Sequence, residues 1–237
     1  MTEPSTPTAP TPSPEIVLKV IAIDGPAGAG KSSVSQGLAT SLGFIRLDTG
    51  ALYRAIGLAA LRAKVQATEG EHLTLLLKGI EVRLEHEQLF LNGQHEEESL
   101  RTPEVSKAAS DFAKLPSVRE KLLQLQRKIG MSSPCIVDGR DIGTIVFPDA
   151  PLKIYLTASA DVRAHRRLVE LNERGVQADF EHTKNEIIAR DLQDQNREIA
   201  PLKCAEDARV IDATELTLKQ VVAQCFALAQ ATFNLKS

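Results

Sequence analysis

Cysteine is scarce and scattered. Cys135, Cys204 and Cys225 lie far apart, with no C-x-x-C pair and no adjacent histidine. That spacing excludes a local zinc site and a disulfide framework and suits a reducing compartment, so the sequence predicts a cytoplasmic protein. No run approaches the roughly 20 apolar residues needed to cross a bilayer, and the N-terminus has neither the charged segment nor the apolar core of a secretory signal. No membrane partner is expected. Positive charge is not in excess either: 28 Lys and Arg stand against 31 Asp and Glu, for a net charge of -3. This excludes a broad basic footprint, and with it nucleic acid as a partner. Phosphate chemistry, if present, must rest on locally gathered cations.

What is present is a soluble globular composition, 43% apolar and 25% charged in 237 residues, enough for one good-sized α/β domain. Thr2 to Pro14 is a Pro/Thr/Ser tract with almost nothing to bury, and residues 1–15 are expected to be a disordered tail. Val17 to Ile23, bounded by Asp24-Gly25-Pro26, reads as a buried parallel strand. Lys31 to Leu42 places Val34, Leu38 and Leu42 on one helical face. Phe44 to Leu47, Ile136-Val137, Leu152 to Leu156 and Val210-Ile211 are further strands. Helices lie between them, over Gly50 to Arg62, along the seam Val118, Leu122, Leu125 and Ile129, and through Leu218, Val221, Val222 and Leu228. Alternating strands and helices predict an α/β fold with a parallel core sheet covered on both faces.

Two stretches break the alternation. Gly79 to His95, with Asn92-Gly93, reads as an antiparallel hairpin inserted between core elements. Ala160 to Asn196 is helical and charged, is interrupted near Gly175, and is expected to form a mobile helical flap.

Gly25-Pro26-Ala27-Gly28-Ala29-Gly30-Lys31-Ser32 satisfies G-x-x-x-x-G-K-[ST], between a strand and a helix as that motif requires. Glycines let successive backbone N–H groups wrap phosphates, and the helix N-terminus adds its dipole. Lys31 supplies a cation to the β and γ phosphates, and the Ser32 hydroxyl a hard oxygen for Mg²⁺. A GTPase switch would need N-K-x-D for the base and D-x-x-G after the loop, and neither occurs.

Arginine stands where a switch would have those sequences. Asp48-Thr49-Gly50-Ala51-Leu52-Tyr53-Arg54 runs from a strand into a helix, and Thr49 either caps that helix or donates to an anion. Asp138-Gly139-Arg140-Asp141-Ile142-Gly143 follows another strand, at the carboxyl edge where open α/β sheets bind ligands; a solvated turn is the alternative. Arg190, Asp194 and Arg197 stand at i, i+4 and i+7, on one face if the helix continues; a salt-bridged surface is the plain alternative, as a solvated face is for Arg163, Arg166, Arg167 and Arg174. Transfer of a phosphoryl group to another phosphate needs little acid–base help. It needs cations around the moving group and two anions held together.

Taken together, IDGPAGAGKSS, LDTGALYR, VDGRDIGTIVFPDAPLKIYLTAS, RAHRR, RDLQDQNREIAPL and DARVIDAT resemble the bacterial cytidylate kinases in order and spacing, from about Val20 to Val222. The resemblance implies a three-layer P-loop fold: a core over 16–62, 136–160 and 200–237, a monophosphate-binding insertion with a small antiparallel hairpin over about 63–135, and a helical lid over about 161–199. It implies ATP as phosphoryl donor, Mg²⁺, and the small-molecule acceptors CMP and dCMP, in a monomer. Gly25, Pro26, Ala27, Gly28, Ala29, Gly30, Lys31, Ser32 and Ser33 would bind the ATP phosphates, with Ser32 also on the metal. Thr49, Arg54, Arg140 and Arg197 would hold the acceptor phosphate, and Arg190 and Asp194 the ribose. Ser110, Arg119 and Asp141 would read the cytosine edge, although spacing alone makes Ser110 and Arg119 exposed helix residues. Lys31, Arg140, Arg197, Arg163 and Arg167 would surround the moving group, the last two from a lid that also carries Arg174. Gln193 and Gln195 depart from the charged residues of many relatives, and Ser33 from their frequent Thr. A kinase for UMP, AMP or shikimate, or a nucleotide sensor without turnover, remains the alternative.

Overall fold

Five parallel strands carry the core of the computed structural model, which describes residues 19–85 and 88–235. The expected tail lies outside the described residues. In chain order the elements are β1 (Val20–Asp24), α1 (Lys31–Leu42), β2 (Ile45–Asp48), α2 (Thr49–Ala63), α3 (Glu71–Gly79), β3 (Val82–Glu85), β4 (Gln88–Leu91) and β5 (Gln94–His95). A 3₁₀ turn (Ser99–Arg101) leads to α4 (Pro103–Phe112), α5 (Pro116–Gly130), β6 (Cys135–Gly139) and a π turn (Ile142–Val146). The chain ends with β7 (Leu152–Thr157), α6 (Ala160–Glu173), α7 (Phe180–Gln195), β8 (Arg209–Asp212) and α8 (Leu218–Phe233).

The main sheet has the order β2-β6-β1-β7-β8. Every neighbouring pair is parallel, with Ile21 opposite both Ile136 and Leu152. Strand pleat divides β1 between two cores. Val20 and Ala22 join the apolar cluster beneath α2 and α5, whereas Ile21 and Ile23 join the one beneath α1 and α8. Cys135 and Val137 of β6 face the first cluster and Ile136 the second. All five residues of β1 are buried, which explains why Val20 to Ile23 form an unbroken apolar run rather than an alternating one. Each such fully buried Ile or Leu contributes roughly 1.5–3 kcal/mol.

The expected insertion forms a three-stranded antiparallel sheet, β3-β4-β5. Leu89 and Leu91 are buried from β4, and Asn92-Gly93 turn the chain back, both with positive φ. The flap is two helices broken at Gly175 (φ +72), as the sequence indicates. The helix α3 was not read from the sequence, and α4 only through the placing of Ser110 on a helix without a range. α4 starts on a side-chain cap, Thr102 accepting from the Val105 N–H, with Pro103 at its first position. It crosses α2 so closely that a Cβ on Gly57 would lie 2.9 Å from the Ala109 nitrogen.

Because the order reverses at β1, its carboxyl end opens between those of β6 and β7, the crevice where parallel sheets collect ligands.

Candidate active site

The loop from Gly25 to Gly30 closes over the end of β1 in a conformation only glycine allows. Gly25 has φ +149, and a Cβ there would stand 2.0 Å from the Leu156 carbonyl oxygen. Gly30 (φ +96) caps α1 without a side chain, leaving the first amides of that helix to meet an anion. Lys31 is buried, and its ammonium donates to the carbonyls of Gly25 (2.8 Å) and Pro26 (2.7 Å). Burial pushes its pKa well below the usual lysine range, the Arg140 charge adds to that, and Asp138, Asp24 and Asp194 pull it back.

Three carboxylates stand behind this loop. Asp24, at the end of β1, accepts from the N–H groups of Ile142 (2.8 Å) and Gly143 (2.7 Å). Burial drives its pKa up to about 6 against the opposing pull of those two bonds. Asp138, the penultimate residue of β6, accepts from Ser35 at 2.6 Å and from the Ser32 hydroxyl at 3.4 Å. Its pKa is raised, first by burial and then by Asp48. Asp48 caps α2 through the Ala51 N–H (3.0 Å) and accepts from Arg54 at 2.9 Å. Burial raises its pKa, but Arg54 and Arg46 outweigh that and hold it below the carboxylate norm.

Asp48, not Thr49, is therefore the cap, because its carboxylate reaches the amide three residues on. The Thr49 hydroxyl donates instead to the Asp138 carbonyl at 2.7 Å, tying the start of α2 to β6 at the site.

Arginines gather on the facing wall. Arg140 donates to Asp194 at 2.8 Å. Arg197 lies outside the helix that was expected to carry it, since α7 stops at Gln195 with Asn196 as its cap. Its guanidinium still returns to the Asp194 carbonyl (3.4 Å). Burial and the Arg140 charge lower the pKa of Arg190 to about 10. Arg197 is lowered too, by burial first, with Arg119 and Arg140 adding to it against Asp194 and Asp141. Arg54 Nε, Arg190 Nε and Arg197 Nη2 are buried donors without a hydrogen-bond partner. Orphaned cationic donors on three separate segments mark where an anion fits, because such groups are costly unless paired.

Beside this wall, Arg119 of α5 reaches the carboxylate of Asp141 and the carbonyl of Ala113 (3.2 Å), with its guanidinium 5.7 Å from the centre of the Tyr53 ring. Arg119 is buried, which corrects the exposed position its spacing suggested; the Asp141 ion pair draws it inward. Burial raises the pKa of Asp141, with Arg119 and Arg197 opposing. Ser110 is half-buried on α4, its hydroxyl spent on the Ser106 carbonyl (3.2 Å), and its carbonyl accepts from Gln193 of α7 at 3.3 Å.

The four arginines for which one solvated face of α6 was the plain alternative separate. Arg163 is buried, bonded to Ala158, Ala27 and Asp191. Arg166 donates to the carbonyls of Ala29 (3.2 Å) and Ala213 (2.8 Å). Arg167 pairs with Glu170 at 2.8 Å near Arg190. Arg174 donates to the Arg101 carbonyl (3.0 Å), so the flap meets the insertion.

Asp24, Asp138, Tyr53 and Asp191 stand inside motifs read from the sequence, but none was given a role there. The first two had a usable signal, an acid closing an apolar strand directly before a glycine-containing loop. Tyr53 and Asp191 had none, because α2 and α7 gain their neighbours only through tertiary packing.

Among the described residues, no helix is long and apolar enough to cross a membrane, and no three His, Cys, Asp or Glu side chains cluster as a metal cage.

Known proteins are similar to this chain over most of its length. The cytidylate kinase family model matches residues 21–231. The cytidylate kinase of Caldicellulosiruptor saccharolyticus is 47% identical over 212 residues, covering 88% of this chain and 94% of the relative. That of Pasteurella multocida is 42% identical over 222 residues, covering 92% and 98%. Among solved structures, an uncharacterized protein from Eubacterium ventriosum aligns with a TM-score of 0.52 at 12% identity, over 90% of this chain and 99% of its own, a likeness of fold alone.

Proposed function

The chain belongs to the cytidylate kinase family, and on that premise we propose that it transfers the γ-phosphoryl group of ATP to CMP and dCMP, giving ADP and the nucleoside diphosphate. The observation that carries this reading is the set of orphaned donors on Arg54, Arg190 and Arg197, opposite a glycine loop that opens α1. On this reading two anion sites share one cleft, as transfer between two phosphates needs.

The division of labour follows from placement. The β1–α1 loop, Gly25 to Ser33, takes the triphosphate on its amides and on Lys31, which exchanges two loop carbonyls for phosphate oxygens. Thr49, Arg54, Arg140 and Arg197 hold the acceptor phosphate, and Arg190 with Asp194 the sugar. An acceptor oxygen, already ionised, attacks the γ phosphorus while its bond to the β–γ bridging oxygen breaks. Charge spread over the transferring group falls to Lys31, Arg140 and Arg197, with Arg167 at the flap edge. Ser110, Arg119 and Asp141 read the base: a carboxylate accepts from the exocyclic amine of cytosine and repels the carbonyl of uracil.

Mg²⁺ fits the mouth of the loop. The Ser32 hydroxyl and the Asp138 carboxylate present hard oxygens 3.4 Å apart, and this ion usually draws its remaining ligands from phosphate and water. When bound it neutralises phosphate charge.

The core, the insertion around β3-β4-β5 and the flap of α6 and α7 form three functional parts, and flap closure excludes water so that ATP is not hydrolysed. A coupled assay of ADP release with Mg·ATP and CMP, dCMP, UMP, AMP or shikimate tests the assignment. Turnover with CMP about tenfold or more above UMP supports the base-reading residues. Turnover with another acceptor alone removes the substrate, and ATP binding without turnover favours a sensor.

A further inference from the structure

One residue of the phosphate loop is held at both of its backbone groups by a buried ion pair from the flap. The Ala27 N–H donates to Asp191 Oδ1 at 3.1 Å, and the Ala27 carbonyl accepts from Arg163 Nη1 at 3.0 Å. Arg163 and Asp191 also bond each other, and Arg163 Nε donates to the Ala158 carbonyl at 2.9 Å, where β7 ends. The two side chains are 9% and 12% exposed, so water competes little for these bonds. The helix rests on the loop itself, since a Cβ on Gly28 would lie 3.1 Å from the Arg163 Cβ.

The Ala27 N–H shares a peptide plane with the Pro26 carbonyl, and that carbonyl accepts from the Lys31 ammonium at 2.7 Å. Peptide planes are rigid, so the two ends turn together. One end is tied to the cation that greets the triphosphate and the other to α7. On α7, Asp191 follows Arg190 directly and precedes Asp194 by three residues. Asp194 in turn holds Arg140 at 2.8 Å through its carboxylate, and its carbonyl accepts from the Leu202 N–H at 2.8 Å and from Arg197. A short, bonded line therefore runs from Lys31 through the Pro26–Ala27 peptide and Asp191 to the acceptor-site arginines.

We propose that Arg163 and Asp191 are positioning residues that convert occupation of the phosphate loop into the placement of Arg190, Asp194, Arg140 and Arg197. When Lys31 leaves the Pro26 carbonyl for a phosphate oxygen, the peptide is freed to turn, and Asp191 carries that turn into α7. Arg163 holds Asp191 aimed, with its planar fork serving three acceptors at once. The consequence is heterotropic coupling: a filled donor site tightens the acceptor site, and reciprocally. This rests on the proposed donor and acceptor sites.

The test is calorimetric titration of CMP with and without a saturating, non-hydrolysable ATP analogue, on the wild type, Asp191→Asn and Arg163→Lys. Each ligand is also titrated alone. In the wild type the analogue is expected to tighten CMP by about tenfold, within the usual range for linked sites. Asp191→Asn keeps an acceptor for Ala27 but loses the charge that holds Arg163, and Arg163→Lys keeps the charge but not the fork. Coupling in each is expected to fall by about threefold or more. Hydrogen exchange needs no variant: the analogue alone should slow exchange across 180–195 in the wild type. Absent coupling in the wild type, coupling unchanged in both variants, or exchange in α7 indifferent to the analogue would overturn the link while leaving turnover intact. Failure of the wild type to bind CMP or the analogue at all would instead remove the sites on which the link rests.

Discussion

Arg119 and Asp141 meet as a buried ion pair although they come from different layers, one from α5 and the other from the loop after β6. The pair joins the insertion to the core at the point where a base is to be read. Tyr53 of α2 closes one side of it, its hydroxyl pushed up to a pKa of about 12 chiefly by burial. Asp141→Asn replaces an acceptor with a group that can donate to a uracil carbonyl. The ratio of kcat/KM for CMP over UMP is expected to fall by about 10²-fold or more, as sites built on hydrogen bonds discriminate strongly. Removing one partner of a buried pair also costs about 3–5 kcal/mol, so Tm should drop. A lowered Tm with unchanged base preference would take Asp141 out of base reading.

Asp24 predicts an acid limb. Ionised, its carboxylate accepts from both Ile142 and Gly143 and steadies the loop that carries Arg140 and Asp141. Its folded pKa of about 6 lies above the ordinary aspartate value of about 3.9. Stability from protonating it is thus present in full below about pH 4 and is lost as pH rises through 6. Activity runs the other way, because the protonated carboxyl gives up one of the two bonds. kcat/KM for CMP should therefore decline below pH 6. The acceptor phosphate titrates in the same range, so the informative quantity is the difference from Asp24→Asn. That variant should be slower at pH 7.5 and lose the part of the acid limb due to the enzyme. Superimposable profiles would dismiss Asp24 as a contributor.

Lys31→Met separates catalysis from folding. The lysine is buried with a depressed pKa, so deleting its charge relieves a desolvation cost. Tm is expected to hold or rise while kcat drops by about 10²–10³. Loss of the fold, seen as collapse of the far-UV circular dichroism, would assign Lys31 a structural role instead.

Gly57 tests how the insertion is mounted. A Cβ there meets the Ala109 nitrogen at 2.9 Å and the Ala108 Cβ at 3.2 Å, which forces α2 and α4 apart. Gly57→Val should lower stability by about 1–3 kcal/mol by overpacking. It should also raise KM for CMP more than for ATP, because Ser110 rides on α4. An equal rise in both would place the strain elsewhere.

Much of the core was legible because its signals are local. The apolar run of β1, the glycine loop and the Val34–Leu38 stripe of α1 specify a strand, a turn and a helix before any tertiary contact forms. The end of α7 was not legible. Arg197 fits the helical spacing, yet the chain leaves the helix at Asn196 and folds back, with the Leu202 N–H bonding the Asp194 carbonyl at 2.8 Å. The burial of Arg119 and Arg163 was hidden for a related reason. Each is a charged residue on an amphipathic helix, the pattern of a solvated face, until a carboxylate from a distant segment draws it inward. Asp141 and Asp191 do so here, and nothing in the spacing of either helix announces them.

Phosphorus NMR of the wild type with Mg·ATP and CMP tests the central claim most directly, because it sees where the phosphoryl group goes. The expected spectrum shows CDP growing in step with ADP, little inorganic phosphate, and far slower diphosphate formation when UMP replaces CMP. ADP accompanied by inorganic phosphate instead of CDP, or no change in ATP at all, would contradict it.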